Sequence, residues 1–415
     1  MKKAPVLKPE YYASFSCKGS ECRQTCCQGW AITLAKEEYR KIQNNIREQD
    51  VFSEQKYFEK MSPKQRTNTS YMKMKLDDEK NCLFLNEQKL CKLQCAFGEG
   101  ILPDTCIWFP RQVFENYNLT CATLSPGCEK VLEMLPVDRS LTFEMQDRNI
   151  ESVFPKGISM QKMYPKNLYP YATYFQDIYS MCILLLQAQD ISLEDRMILL
   201  GMGLKNVIKL GEDGNWEQIP KYIDTYLSEL SQLEDVEALL PQFSPNLSAL
   251  FNNFLMADNE PTGSASSYQK VIDRVKEILN ISYETDGDGW KVSAKSFADY
   301  EEKKNRFTSL MRDKPFFMEN LLMSIFTYKN IPFSSELIGG LWENYVYLCW
   351  VYGSLKFVLT VCAEDIQSQK ELIDHCIPLL RRWTHTRELS KTFVKEFQKN
   401  ESNTLAHMAV LLKSC

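Results

Sequence analysis

Histidine is almost absent from this sequence. There are 3 in 415 residues, His375, His385 and His407, so nothing before residue 375 can supply an imidazole. Ser-His-Asp and Cys-His nucleophilic sites are therefore excluded from that part, and so is a Cys2His2 zinc finger. Basic charge is also short: 49 Lys+Arg face 54 Asp+Glu, a net charge of −5. A dedicated nucleic-acid binder would show a basic face, so no nucleic-acid partner is expected. Long apolar runs are missing as well. The most apolar stretch, residues 345–355, lies between Glu343 and Lys356. Crossing a bilayer takes about 20 residues, so no membrane span is expected. The opening MKKAPVLKPEYYASFSCKGS has no apolar run behind its lysines. That is not a secretory pattern, and the expected location is cytoplasmic. No strand is followed by GxGxxG. Gly201-Met-Gly203 sits in an apolar helical stretch and reads as helix packing.

What the chain does have is cysteine. There are 15, of which ten lie at 17, 22, 26, 27, 82, 91, 95, 106, 121 and 128, and five at 182, 349, 362, 376 and 415. The hydrophobic fraction of 44% is enough for a packed core and excludes wholesale disorder. In a reducing compartment such a dense group of thiols points to a metal rather than to disulfides. The uneven spacing suggests a Cys-rich domain over residues 1–140 and a second domain over 141–415. The expected fold is mainly α with a small Cys-rich α+β metal-binding N-terminal domain. Helical spacing marks residues 168–189, 192–210, 216–233 and 268–279, and Ser192-Leu-Glu-Asp and Ser335-Glu read as helix starts. In the first domain, 37–47 reads as a helix, and 80–85 and 119–124 as strands. Loops are expected at 259–267 and 285–289.

Two groups of thiols stand out. Cys17, Cys22, Cys26 and Cys27 form the first, and Cys82, Cys91, Cys95 and Cys106 the second. One helical turn would bring Cys22 and Cys26 to one face, whereas the adjacent Cys26 and Cys27 can converge only from a turn. Four thiolates hold a tetrahedral zinc or an iron–sulfur cluster, and spacing does not choose between them. This many cysteines could serve one metal with spares, or two. The best ligand candidates are Cys17, Cys22, Cys26, Cys27, Cys82, Cys91 and Cys106, with Cys95 and Cys121 second. The later cysteines read as structural. Trp30 and Trp108 flank cysteines and read as packing residues.

At these residues the sequence resembles a known family. Phe15-x-Cys17-x-Gly19-x2-Cys22-x2-Thr25-Cys26-Cys27-x-Gly29-Trp30 is similar to the opening of bacterial flagellin lysine-N-methylases. The block from Asn81-Cys82-Leu-Phe-Leu to Cys106-Ile-Trp-Phe-Pro110 also resembles a broader cysteine-rich zinc- or iron-chelating family. Further on, Glu319-Asn320-Leu-Leu with Ile331-Pro332-Phe333, and Phe393, Phe397 and His407 near the end, resemble later methylase segments. The family's Ser-Cys-Pro-Glu stands here as Ser125-Pro126-Gly127-Cys128-Glu129, with the cysteine displaced, and Ala406 stands where an acid is common.

The resemblance implies transfer of a methyl group from S-adenosylmethionine to lysines of flagellin, in an enzyme with a [4Fe-4S] cluster; zinc is the alternative metal. Two rivals remain: a non-enzymatic zinc-binding protein, and an iron–sulfur electron carrier. A cluster that anchors the donor needs three cysteines and one open iron, usually spaced CxxxCxxC. Cys22-x3-Cys26 is followed by Gly29 and Cys91-x3-Cys95 by Gly98, so neither run matches. The chemistry also needs a neutral lysine, whose free pKa is about 10.4. No residue can be assigned to that task from sequence.

Overall fold

The computed structural model describes residues 5–49, 57–146, 168–232, 240, 246–247, 267–280, 282–284, 289–291, 299–334, 337, 339–385 and 404–414. The helix start at Ser335, the residues Phe393 and Phe397, and most of the two expected loops lie outside these.

The first part of the chain builds two small sheets. In one, strands β1 (Val6–Pro9), β5 (Arg111–Glu115), β6 (Thr120–Leu124) and β7 (Phe143–Gln146) are ordered β5-β6-β1-β7. β1 pairs parallel to β6, and the other pairs are antiparallel. All five residues of β6 are buried, because a helix covers it. The other sheet is β2 (Thr33–Leu34), β4 (Met72–Met74) and β3 (Phe58–Lys60), in that order. Three helices accompany it: α1 (Lys36–Gln49), α2 (Lys92–Phe97) and α3 (Asp104–Trp108). The helix expected at 37–47 and the strand expected at 119–124 are thus present. Residues 80–85 do not form a strand. They make isolated bridges, Gln28 with Asn81, Leu76 with Cys82 and Leu85 with Cys91. Lys80, at φ 65°, turns the chain before any ladder can extend.

The rest is helical: α4 (Glu129–Met134), α5 (Phe175–Leu186), α6 (Leu193–Glu212), α7 (Ile219–Ser231), α8 (Ser267–Ile278), α9 (Tyr300–Met311), α10 (Phe317–Tyr328), α11 (Leu341–Val361), α12 (Gln369–His385) and α13 (Leu405–Ser414), with a short hairpin β8 (Ser282–Glu284) and β9 (Gly289–Lys291). The mainly α reading holds. Ser192 starts α6 as expected, its hydroxyl accepting from Asp195 N at 3.3 Å, with Glu194 and Asp195 in the first turn. α11 is the central element, buried along nearly its whole length among α6, α8, α9, α10, α12 and α13. It carries the most apolar run of the sequence, which serves the bundle interior, and no helix among the described residues is long and apolar enough to cross a membrane. Gly201 lies inside α6 because a Cβ there would stand 2.5 Å from the Tyr345 hydroxyl of α11, a backbone approach only glycine permits.

The apolar residues form two cores. The smaller one uses Ile32, Leu34, Ile42, Met72, Phe84 and Leu93, and Cys82, Cys91 and Cys106 pack against it. The larger one joins Val6, Val113 and Leu124 of the four-stranded sheet to helices α4 to α13, and it includes Cys128. The sheet is therefore continuous with the helical bundle, and the thiols lie where the two cores meet.

Candidate metal centre

Residues 17–30 cross the seam between the cores as an irregular loop. Cys22 and Cys26 are not on one helical turn; after a single 3₁₀ turn at Gly19–Glu21 the chain bends at Arg23 and Gln24. Cys26 and Cys27 occupy a turn, as their adjacency requires. The chain then runs antiparallel to residues 80–82, with Gly29 N donating to Lys80 O at 2.9 Å and Cys82 N to Cys27 O at 2.8 Å. These bonds carry the first group of thiols to the second. Cys91 precedes α2, and Cys106 lies within α3. Glu38 of α1 ties α3 down, accepting from Asp104 N at 2.8 Å.

The result is one cavity of about 410 Å³, lined by eight cysteines: 17, 22, 26, 27, 82, 91, 106 and 128. All seven best candidates are there. The second choices are not. Cys95 is exposed on α2 and faces outward. Cys121 lies in β6, buried beside Asn116 Nδ2 at 3.5 Å, where the sheet meets the bundle. Cys182, Cys349, Cys362 and Cys376 are buried in the larger core, in line with their structural reading. Trp30 packs on Phe109, ring centroids 5.5 Å apart, and its Nε1 donates to Cys26 O at 2.6 Å. It also lines the cavity, so packing and shielding coincide in one ring. Trp108 does not line it.

Burial shapes the chemistry of these thiols. It pushes Cys22 up to about 12, helped by the Glu129 carboxylate, and Cys82 and Cys128 up to about 11. Cys106 is also raised well above the ordinary thiol range by burial and the surrounding sulfurs. Cys26 is raised by its hydrogen bond with Cys27 and by burial. Burial thus favours the thiol form of these side chains, and a bound cation would make thiolates of them. The donor set fits a soft metal or an iron–sulfur cluster.

Spacing adds a constraint. A tetrahedral zinc with bonds of about 2.3 Å holds its sulfurs about 3.8 Å apart. Among the described residues, no three thiols of this pocket have their sulfurs within 4.8 Å of one another. The one triad among them that meets that distance is Cys362, Asp365 and His375, which do not line the pocket. There Asp365 is held by Arg274 Nε and Nη2 at 2.8 and 2.9 Å, and His375 Nδ1 bonds Glu371 O at 2.9 Å. A cation would have to displace the guanidinium, so this triad is an ion pair with a neighbouring thiol.

Three contributors escape local sequence reading. Cys128 is one, since its motif is displaced. The others are Glu129 and Arg381. The buried Glu129 carboxylate accepts from Lys18 Nζ, Arg23 N and Gln24 N, each at 2.8 Å, and pairs with Arg23 Nη1 at 3.0 Å. Arg381, from α12, donates to Gly127 O at 2.8 Å, Thr25 O at 2.9 Å and Gln24 O at 2.6 Å. Their partners lie more than 100 and more than 250 positions away, which no spacing rule reaches. His407 lines no part of the pocket. Its Nδ1 meets Thr404 Oγ1 at 2.7 Å at the start of α13.

Comparison with known proteins bears on the family and not on the thiols. Residues 179–411 match the FliB lysine N-methylase C-terminal domain. The chain is 33% identical over 132 residues to a lysine-N-methylase of Salmonella typhimurium (strain LT2), covering 32% of each chain, and likewise to one of Salmonella choleraesuis (strain SC-B67). It is 32% identical over 132 residues to the flagellar biosynthetic protein FliU of Salmonella muenchen, covering 76% of that protein. The match spans about a third of the length of the two methylases. No solved structure matches the chain. With the domain match extending over more than half its residues, the chain belongs to the FliB lysine N-methylase family.

Proposed function

We propose that this protein methylates lysine side chains of flagellin, with S-adenosylmethionine as donor and a [4Fe-4S] cluster held by the N-terminal thiols. In this reading residues 1–140 are the metal-binding unit and 141–415 the helical unit, although the two share a core. The observation that carries the cluster is the convergence of eight cysteines on one cavity at the seam. The all-sulfur donor set suits such a cluster, with zinc as the alternative metal.

The cluster, when bound, would supply redox or Lewis-acid chemistry next to the donor. The chain's own residues do the rest. Phe15, Trp30, Leu90 and Phe109 give the cavity apolar walls. Such walls disfavour the ammonium form of an entering lysine and so free its lone pair. A neighbouring cavity of about 290 Å³ shares Gln24, Trp30, Leu76 and Arg381 with the first and reaches Ser267 and Tyr268 of α8. It offers space for the donor or for the lysine-bearing segment.

The test is intact-mass measurement of flagellin incubated with the anaerobically purified protein and S-adenosylmethionine. The expected result is mass steps of about 14 Da on lysines, each one methyl group. An unmodified flagellin beside a brown, iron-loaded protein would favour an electron carrier. A colourless protein with stoichiometric zinc would favour a structural zinc protein.

A further inference from the structure

The cavity beside the thiols is charged unlike the chain as a whole. Its walls, enclosing about 290 Å³, carry Lys80, Arg381 and Arg382 against one acid, Glu79. In a chain of net charge −5 this is a local excess of positive charge, and a concave wall concentrates its field. The cations come from distant parts of the sequence. Lys80 is set by the turn in which Gly29 N donates to Lys80 O at 2.9 Å, and the two arginines lie near the end of α12. Glu79 is exposed and accepts from Asn81 Nδ2 at 3.5 Å.

Two of these cations keep their charge unpaired. Among the described residues, neither Lys80 nor Arg381 forms an ion pair. Arg381 gives one N–H from each of its three nitrogens to a backbone carbonyl, those of Gly127, Thr25 and Gln24. A guanidinium has five N–H groups, so two remain for a ligand. Arg382 adds a third cation, its guanidinium 5.8 Å from the centre of the Tyr268 ring. Gln24 and Gln28 bring side-chain amides, whose N–H groups also suit an acceptor. Gln24, Trp30, Leu76 and Arg381 are shared with the thiol cavity, so a ligand lying across both meets Arg381 on the way.

Unpaired cations and amide donors in a concavity bind an anion. The methyl donor is a poor match, because its sulfonium is itself a cation. A carboxylate side chain is a good one, being planar and able to accept two N–H bonds from a guanidinium. We propose that this cavity is a substrate-recognition subsite, which takes the carboxylate of an aspartate or glutamate flanking the target lysine, with Lys80, Arg381 and Arg382 as its cations. The proposal rests on the reading that the chain methylates protein lysines, and it adds which lysines are chosen. An extended chain advances about 3.3 Å per residue, so cavities that share a wall place the acid within about four residues of the lysine.

The test is binding of short fluorescein-labelled peptides to the anaerobically purified full chain, followed by fluorescence anisotropy at low salt. One peptide carries a lysine with a glutamate about three residues away. The other has glutamine in place of that glutamate. The glutamate peptide is expected to bind about tenfold more tightly, the size of one hydrogen bond to a charged group. Lys80 is a partly exposed turn residue, so its variants keep the fold. The advantage is expected to shrink to about threefold in Lys80→Gln and to vanish in Lys80→Glu, while the glutamine peptide keeps its affinity throughout. A damaged fold would weaken both peptides together. Equal binding of the two peptides by the wild-type chain, binding of neither, or an advantage that survives Lys80→Glu overturns the subsite. S-adenosylhomocysteine that removes the glutamate advantage would assign the cavity to the donor and overturn it too. The mass assay of flagellin fails or succeeds separately: methylation without a glutamate preference sinks the subsite alone, and a preference without methylation leaves the subsite as a peptide-binding site and sinks the methylation reading.

Discussion

Under the proposed function, Cys91→Ser is expected to lose iron from the pocket thiols and to destabilise the smaller core with it. Cys91 sits where two requirements meet. Its sulfur faces the cavity, while its backbone bridges Leu85 and lets Lys92 N donate to Phe84 O at 2.7 Å at the start of α2. Removing a partner that merely orients a ligand already costs about 10–100-fold in metal affinity, and removing a thiolate costs more. The small core has few apolar residues of its own, so binding energy counts directly as folding energy there. Cys26→Ser is expected to do at least as much damage, because Cys26 lines the cavity from the turn where the first stretch of thiols meets the second. Iron and acid-labile sulfide per chain, with thermal melting of the same samples, give the answer. Unchanged iron in both variants would mean that other residues are the ligands.

Glu319→Ala is expected to destabilise the chain by about 3–5 kcal/mol, the range for removing one partner of a buried ion pair. Glu319, 4% exposed, pairs with Arg196 Nη1 at 2.5 Å and accepts from Gln189 Nε2 at 3.1 and 3.0 Å and from the Ser140 hydroxyl. Without it Arg196, itself 6% exposed, keeps, among the described residues, its bonds to Leu186 O and Ile191 O. The neighbouring Asn320 accepts from Leu141 N at 2.7 Å and donates to Pro136 O and Arg139 O at 2.7 and 2.8 Å. Together the two residues pin the segment leading into β7 onto α10. Urea unfolding measures the effect as a lower midpoint at constant slope. A midpoint within about 0.5 kcal/mol of wild type, the size of an ordinary surface change, would contradict this role.

The sequence was informative where a signal is local. Apolar spacing located α5 to α8 because a helix face repeats every few residues whatever packs against it, and clustered cysteines marked the pocket because thiols are rarely spent in groups. It was silent where the cause is long-range. Residues 80–85 end in a short apolar run such as a strand carries, yet their partners are single bridges to 28, 76 and 91. Cys121 and Cys128 look alike in the sequence. One is enclosed in β6 between sheet and helix, and the other faces the cavity only because Glu129 and Arg381 draw the Cys22 loop to it. The segment Glu319-Asn320 read as a family resemblance; in the structure it is a buried anchor.

Whether sulfurs from the loop near residue 22 and from the stretch near residue 91 share their metal is tested most directly by differential alkylation of the intact chain, read by peptide mass spectrometry before and after chelation. The account predicts that Cys26, Cys82, Cys91 and Cys106 are all protected in the iron-loaded protein and become reactive together when the iron is removed, while exposed Cys95 reacts in both states. Equal labelling of those four thiols with and without chelator, or protection confined to one of the two stretches, would contradict it.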